Sequence, residues 1–321
     1  MKFPKGRIIL ENVKIHFVNF DNILNQAKKA REGRLNGYIQ IIYPQEVDLL
    51  FFKQGSPINA GRYNRNGFSL VSIKDVVERA KSSEIGIVNI YDIPDELLFM
   101  MIVSLKEKPL FAGKPVQSID RRKLIEKLKQ INFGGFLVLL KGVEYYFVKF
   151  ERGEPVRMYL AGKHGANITG DLLLKFLEKE SEHIIISAYE GITQVEQAQP
   201  ALISLYIKFL NNLAKSFSNI VGKSIVNKTL LASYDIARNK YNLLNHFTVG
   251  DDLLVREANV VTTTDEATAA FASWIDKFVD SIFVVLGRET DQVVYECIKD
   301  YRFALKSAGF FEKSKLKRLD I

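Results

Sequence analysis

The sequence is poor in the residues that most metal sites and covalent catalysts use. Its 321 residues include one cysteine, Cys297, and four histidines. A single cysteine excludes an internal disulfide bond and any site that needs several thiolate ligands. Cys297 stands at helical spacing among apolar residues, which predicts a small buried core residue. None of the histidines has the spacing of a metal motif, so we predict no metal site; they are His16, His164, His183 and His246.

The sequence context suggests a role for two of these histidines. His183 stands at the start of a predicted strand, and a packing role is expected for it. His164 lies in the loop 162–165, where it either occupies an exposed turn or touches a ligand. Neither is assigned as a site residue.

Motifs of known catalytic loops are also missing. The chain has neither a Gly-x-Ser-x-Gly elbow nor a Gly-x-Gly-x-x-Gly dinucleotide fingerprint. Gly222-Lys223-Ser224 resembles the end of a phosphate-binding loop, but Phe217 stands where that loop needs a glycine, and a helical pattern precedes it. We therefore predict a non-enzymatic protein with no catalytic residue, no cofactor-binding residue and no cofactor.

Long apolar stretches are absent as well. The longest apolar runs, such as residues 134–140, fall far short of the roughly 20 residues that span a bilayer, and the N-terminus lacks a signal-peptide pattern. We expect a cytoplasmic protein without a transmembrane segment. The net charge is +8, and its densest basic runs, residues 121–123 and 313–318, read as solvated helix faces. Binding to nucleic acid or to an anionic surface is allowed by this charge but not favoured.

What the chain does contain is an internal repeat. Residues 37–58 align without a gap on residues 135–156, at an offset of 98. The same offset places residues 84–92 on residues 182–190. Two copies of so long a unit indicate tandem domains and not a solenoid. The identical pairs are Gly37/Gly135, Glu46/Glu144, Phe52/Phe150, Gly55/Gly153 and Pro57/Pro155.

Each copy has the pattern of an α+β sheet with helices. A helix precedes three strands joined by short turns; a second helix, a fourth strand and an amphipathic helix follow. That last helix is expected at residues 96–105 in copy one and 195–213 in copy two. In the strand 143–150, Tyr145 and Phe147 share one face and Tyr146 and Phe150 the other. We expect burial of these aromatic residues within the core or between the copies, not base stacking.

Beyond about residue 217 the pattern becomes helical. Helices are expected at residues 225–241 and at residues 289–307. A third is expected between them, from the capping box of Thr263 and Glu266 to the glycine Gly287. The predicted fold class is therefore α+β: two copies of a small antiparallel sheet-plus-helices domain followed by an all-α helical bundle. The predicted domains are residues 1–118, 119–216 and 217–321.

The repeated strand–turn–strand resembles that of the PATAN domain. Copy one reads Leu50-Phe-Phe52-Lys-Gln-Gly55-Ser-Pro-Ile58-Asn-Ala60, which is similar to that family's Leu-x-Phe-x-x-Gly-x-[Ile/Val]-x-x-Ala motif. Copy two keeps the Phe, Gly and Val of the motif but has Met158 in place of the alanine. PATAN domains occur in bacterial signalling proteins, so the resemblance implies protein–protein interaction in signalling or regulation, with no cofactor.

Three functions follow as hypotheses. The first is a non-enzymatic interaction or regulatory adaptor that contacts a protein partner through a sheet edge or the helical segment. The second is a basic protein that binds nucleic acid or an anionic surface, which its charge motivates. The third is an enzyme or small-molecule sensor that uses a cleft between the two copies. Neither the partner nor the oligomeric state can be read from the residues.

Overall fold

The computed structural model describes residues 2–29, 34–162, 165–180, 183–191, 196–257 and 259–319. The chain divides into two compact units, Met1–Leu70 with Val76–Val195, and Val71–Asp75 with Glu196–Ile321. The division differs from the predicted one, because both copies of the repeat fall within one unit. The predicted boundary at residue 216 lies inside a continuous helix.

From the first strand to the sixth, both copies of the repeat have the same elements in the same order, and copy one continues into an additional helix. Copy one contains β1 (Arg7–Lys14), α1 (Phe20–Lys29), β2 (Gly37–Ile42), β3 (Val47–Lys53), β4 (Ser56–Asn64), β5 (Gly67–Leu70), α2 (Ile73–Ser82), β6 (Ile87–Asp92) and α3 (Asp95–Lys106). Copy two contains β7 (Phe111–Pro115), α4 (Arg121–Gln130), β8 (Gly135–Lys141), β9 (Glu144–Glu151), β10 (Glu154–Tyr159), β11 (Ala166–Asn167), α5 (Gly170–Lys179) and β12 (Ile184–Glu190).

The two copies build separate six-stranded sheets of identical topology. Sheet I has the order β1-β6-β2-β3-β4-β5, and sheet II the order β7-β12-β8-β9-β10-β11. All neighbouring strands are antiparallel. The α+β class is confirmed, with four strands of each sheet close to their predicted positions. The outer strands of both sheets were not predicted, because β1 and β7 are largely exposed and β5 and β11 are short.

The repeated glycines are explained by close backbone contacts. A Cβ atom on Gly37 would lie 1.9 Å from the carbonyl oxygen of Tyr91, and one on Gly135 would lie 2.2 Å from that of Tyr189. Gly153 has φ +80° and its neighbour Arg152 φ +50°, the two positive angles of a type I′ hairpin turn. The duplication therefore preserves positions at which a side chain cannot be accommodated.

Helix α3 is buried between the two sheets. Seven consecutive residues, Leu97 to Val103, are buried, so the prediction that this helix is amphipathic was wrong. Its core includes Tyr38 and Phe51 from sheet I and Phe136 and Phe147 from sheet II. A helix that contacts apolar layers on both sides has no face left for polar residues. We call the sheet faces towards α3 the inner faces.

The outer face of sheet II is covered by α4 and α5. Tyr146, Val148 and Phe150 pack there against Leu128 and Leu177 of these helices. Phe147 points the opposite way, towards α3. The alternation predicted for this strand is therefore observed, and both of its faces lie in the core.

The second unit is a helical bundle with one small hairpin. It contains α6 (Pro200–Val221), α7 (Lys223–Lys240), β13 (Phe247–Val249), β14 (Val255–Glu257), α8 (Thr264–Leu286), α9 (Glu289–Ser307) and α10 (Phe310–Lys313). Helix α6 was predicted as part of copy two, but it packs in this bundle. The β13–β14 hairpin was not predicted. The Thr263 side chain accepts a hydrogen bond from the Glu266 backbone N–H at 3.2 Å, as predicted. Within the described residues, no helix combines the length and apolar character needed to cross a bilayer.

Candidate functional site

A polar cleft of about 340 Å³ lies between the two copies of the repeat, within the first unit. The N-terminal segment closes it on one side. The Lys2 backbone N–H donates to the Val143 carbonyl at 2.7 Å, and the Tyr145 N–H donates to the Lys2 carbonyl at 2.9 Å. The chain then continues into β1 at the edge of sheet I. The N-terminal segment thereby joins the β8–β9 turn of sheet II to sheet I and forms one wall of the cleft.

The wall from sheet I carries two cross-strand pairs on its inner face. Tyr38 of β2 is in register with Tyr91 of β6, and Gln40 with Asn89. All four side chains are buried. The Asn89 amide donates to the Gln40 side-chain oxygen at 3.2 Å. The pairs thus place two carboxamides and two phenols on one buried surface.

Strand β1 completes this surface through a distortion. The β1–β6 register shifts between Leu10 and Val13, and Asn12 within that step has φ +59°. Its backbone N–H therefore turns inward and donates to the Asn89 side-chain oxygen at 2.8 Å. In a regular strand this N–H would point to the backbone of the neighbouring strand, so the bulge is what provides a donor for the buried Asn89 side chain.

Glu11 is the central charged group of the cleft. Its carboxylate accepts hydrogen bonds from the Lys5 ammonium and from the Tyr91 hydroxyl, the latter at 3.0 Å. The Lys5 hydrogen bond, followed by that from Tyr91, lowers the pKa of Glu11, so the carboxylate stays ionised. Burial, together with the Glu11 charge, raises the pKa of Tyr91 and keeps its hydroxyl protonated.

A second ion pair lies at the opposite wall. The Lys2 ammonium is 3.5 Å from the Glu144 carboxylate, which also accepts a hydrogen bond from the Tyr146 hydroxyl at 2.6 Å. The cleft therefore contains two ammonium groups and two carboxylates, and these charges balance. Its chemistry is that of a neutral, hydrogen-bonding surface.

The sister copy provides an internal comparison for this site. Sheet II has the same two cross-strand pairs, Phe136 with Tyr189 and Val138 with Ser187. Where copy one has the Gln40–Asn89 pair, copy two thus has an aliphatic side chain and a small hydroxyl. The sheet folds without a buried carboxamide pair, and burying one costs free energy unless it is satisfied. The topology that the two sheets share therefore does not require Gln40 and Asn89.

The lining consists mainly of hydrogen-bonding and charged side chains. Among the described residues that line the cleft there is no histidine, cysteine, serine or threonine. Glu11, the carboxylate nearest to the buried amides, is held ionised by two donors, which makes it a poor general acid. The groups present can donate and accept hydrogen bonds and pair with charges.

None of the three histidines that the structure describes lines this cleft. His16 and His246 are exposed, and His183 is exposed with φ +71° just before β12, so the packing role expected for His183 was wrong. His164 lies outside the described residues. Within the part of the chain that the structure describes, no three of the histidine, cysteine, aspartate and glutamate side chains are grouped to hold a metal ion.

The cysteine, the Gly222-Lys223-Ser224 segment and the basic C-terminal run all have structural roles. Cys297 is buried, its thiol donates to the Ser216 hydroxyl at 3.3 Å, and burial raises its pKa. Gly222, with φ +88°, joins α6 directly to α7, so Gly222-Lys223-Ser224 is a turn between helices and not a phosphate loop. The basic C-terminal run is tied down by ion pairs: Lys313 with Asp265, Lys315 with Asp280 and Arg318 with Asp291.

No residue of the cleft was identified from the sequence. The sequence did contain one indication of the site. Gln40 and Asn89 are carboxamides within otherwise apolar strands, and the aligned positions of copy two are Val138 and Ser187. Glu11 and Lys5 lie outside the aligned part of the repeat and gave no such indication.

Comparison of this chain with family models, with curated proteins and with solved structures finds no match. The resemblance to PATAN domains therefore stays a prediction from the sequence motif.

Proposed function

We propose that the chain is a non-enzymatic regulatory protein that binds a small polar molecule in the cleft between its two repeats. The observation that carries the proposal is the buried Gln40–Asn89 carboxamide pair on the cleft wall, at positions where the sister sheet has Val138 and Ser187. A cavity of about 340 Å³ is at the small end of ligand pockets, which suits a molecule of metabolite size.

The lining defines the class of ligand. Two carboxamides and two tyrosine hydroxyls favour a molecule with both hydrogen-bond donors and acceptors. The balanced pairs Lys5–Glu11 and Lys2–Glu144 favour a ligand that is uncharged or zwitterionic over a polyanion. A strongly apolar ligand would leave the carboxamides without new partners and is disfavoured.

The test replaces the carboxamide pair with the residues of the sister copy. In the repeat-matched variant Gln40→Val/Asn89→Ser, sheet I receives side chains that the same topology already accommodates in sheet II. Binding of a panel of small metabolites, grouped by charge, is measured by calorimetry and by native mass spectrometry. We expect neutral or zwitterionic compounds to bind the wild type and to bind the variant at least about tenfold more weakly. Equal binding by both proteins, or no binding by a folded wild type, contradicts the proposal.

The regulatory part of the proposal concerns a protein partner in the cytoplasm. It is supported by the resemblance to PATAN domains and by a cleft lining suited to binding. Copurification from the native cell with the wild type and with the repeat-matched variant tests it. A partner whose capture changes with the variant supports coupling between the cleft and the partner, whereas identical sets of captured proteins contradict it.

A further inference from the structure

Two turns between helices lie at the same end of the bundle in the second unit. Helices α6 and α8 run side by side in the same direction: Tyr206 stacks on Phe271 with ring centres 5.2 Å apart, and Phe217 contacts Phe278 at 5.8 Å. Both helices therefore end at the same end of the bundle, where α6 joins α7 at Gly222 and α8 joins α9 through Gly287.

Large apolar side chains are exposed around these two turns. Val284 is 85 % exposed, and its neighbours on α8 and the flanking residues of the other turn are at least 40 % exposed. Single exposed apolar residues are ordinary, but these five are concentrated at one end of the bundle, and exposed apolar groups concentrated in this way occur at interaction sites. We call this set the apolar tip; its members are Ile220, Ile225, Phe283, Val284 and Val285.

Basic residues flank the apolar tip at both turns. Lys223 follows Gly222, and Arg288 follows Gly287. Both are exposed, and within the described residues neither forms an ion pair. The exposed Glu289 is the acidic residue next to Arg288. The tip thus combines protruding apolar side chains with basic groups at each turn.

We propose that the apolar tip docks onto a lipid bilayer that contains anionic headgroups. Val284 and its apolar neighbours enter the interfacial region, while Lys223 and Arg288 contact headgroup phosphates. Two basic residues against one adjacent acidic residue leave the tip net positive, which favours anionic lipid over a second copy of the chain, because a symmetric contact centred on the tip would bring two net positive surfaces together. The inference concerns the second unit and does not depend on ligand binding in the cleft.

The experiment measures binding of the full chain to vesicles by co-sedimentation. Vesicles of phosphatidylcholine alone are compared with vesicles that contain phosphatidylserine. The variant Val284→Asp/Val285→Asp places charges in the tip without touching the core. The matched control is Phe303→Asp, since Phe303 is 86 % exposed but lies about 20 Å along α9 from the tip. A third variant, Lys223→Glu/Arg288→Glu, removes the basic flanks.

We expect the wild type and the Phe303→Asp control to bind the anionic vesicles equally. The tip variant should bind about tenfold more weakly or not at all, and the charge variant should lose its preference for phosphatidylserine. Three results overturn the proposal: no binding of the folded wild type, equal losses for the tip variant and the control, or a wild-type dimer that the tip variant dissociates without any vesicle binding. Thermal melts of each variant by circular dichroism verify folding.

Discussion

The contact between the second hairpin turn of sheet II and helix α4 can be tested with a pair of glycines. Gly142 and Gly153 both lie in turns of this sheet, with φ +60° and +80°. A Cβ atom on Gly153 would stand 2.6 Å from the Lys129 Cα atom, whereas one on Gly142 would meet nothing within 4 Å. Both positions have a positive φ, and they differ in the space around the added atom.

The expected cost follows from these two contributions. An alanine at a positive φ costs roughly 1–3 kcal/mol, and both Gly142→Ala and Gly153→Ala carry a cost of this kind. Carbon atoms in contact normally stand about 3.5–4.0 Å apart, so the new atom on residue 153 overlaps the α4 backbone by about 1 Å. Overpacking of this kind adds roughly 1–3 kcal/mol. We expect Gly153→Ala to lower the free energy of unfolding by that additional amount relative to Gly142→Ala.

The assay is urea denaturation of both variants and the wild type, followed by far-ultraviolet circular dichroism. A lower midpoint for Gly153→Ala than for Gly142→Ala confirms the close approach of turn and helix. Equal midpoints would show that α4 moves aside freely. In that case the glycine repeated at positions 55 and 153 serves only the turn conformation.

Two carboxylates should make stability depend on pH with opposite signs. Burial acts to raise the pKa of Glu96, but hydrogen bonds from Lys149, at 2.8 Å, and from Tyr159 outweigh it and leave that pKa lowered. The ionised Glu96 therefore stabilises the fold above its unfolded-state pKa, about 4.3, and this stabilisation is lost as the pH falls through the lower pKa of the folded state. Thermal melts at a series of pH values should show a smaller loss of stability at low pH for Glu96→Gln than for the wild type. Burial raises the pKa of Asp276 despite hydrogen bonds from the Ser314 hydroxyl, at 2.6 Å, and the Lys315 N–H. Its ionisation therefore costs stability as the pH rises above the unfolded-state pKa, near 3.9, and Asp276→Asn should remove that cost. An unchanged pH profile in either variant would contradict the assigned sign.

Much of the local structure could be predicted because it depends on short stretches of chain. Thr263 and Glu266 are three residues apart and form their capping hydrogen bond whatever surrounds them. The hairpin turn at Gly153 follows from the positive φ angles that glycine permits. The duplication itself is visible because both sheets need a glycine where the neighbouring backbone approaches closely, at Gly37 and Gly135.

Other features depend on partners distant in sequence. Strand β1 is exposed and irregular, and it becomes a strand only through pairing with β6, so its own pattern is weak. The helix expected to be amphipathic at residues 96–105 is instead buried on all sides from Leu97 to Val103, because a sheet from each copy covers it. Helix α6 follows copy two along the chain but finds its apolar neighbours in the bundle.

The duplicated α+β unit, its turns and caps, and the lack of recognisable catalytic motifs are all visible in the chain alone, because each is encoded in neighbouring residues. Where the polar groups meet depends on the tertiary structure. Glu11, Gln40 and Asn89 come from three strands of sheet I and converge through strand order and the bulge in β1. Strand order and register are global properties, since each is set by which surfaces are buried together. The cleft between the repeats is for that reason a product of the fold and not of any segment.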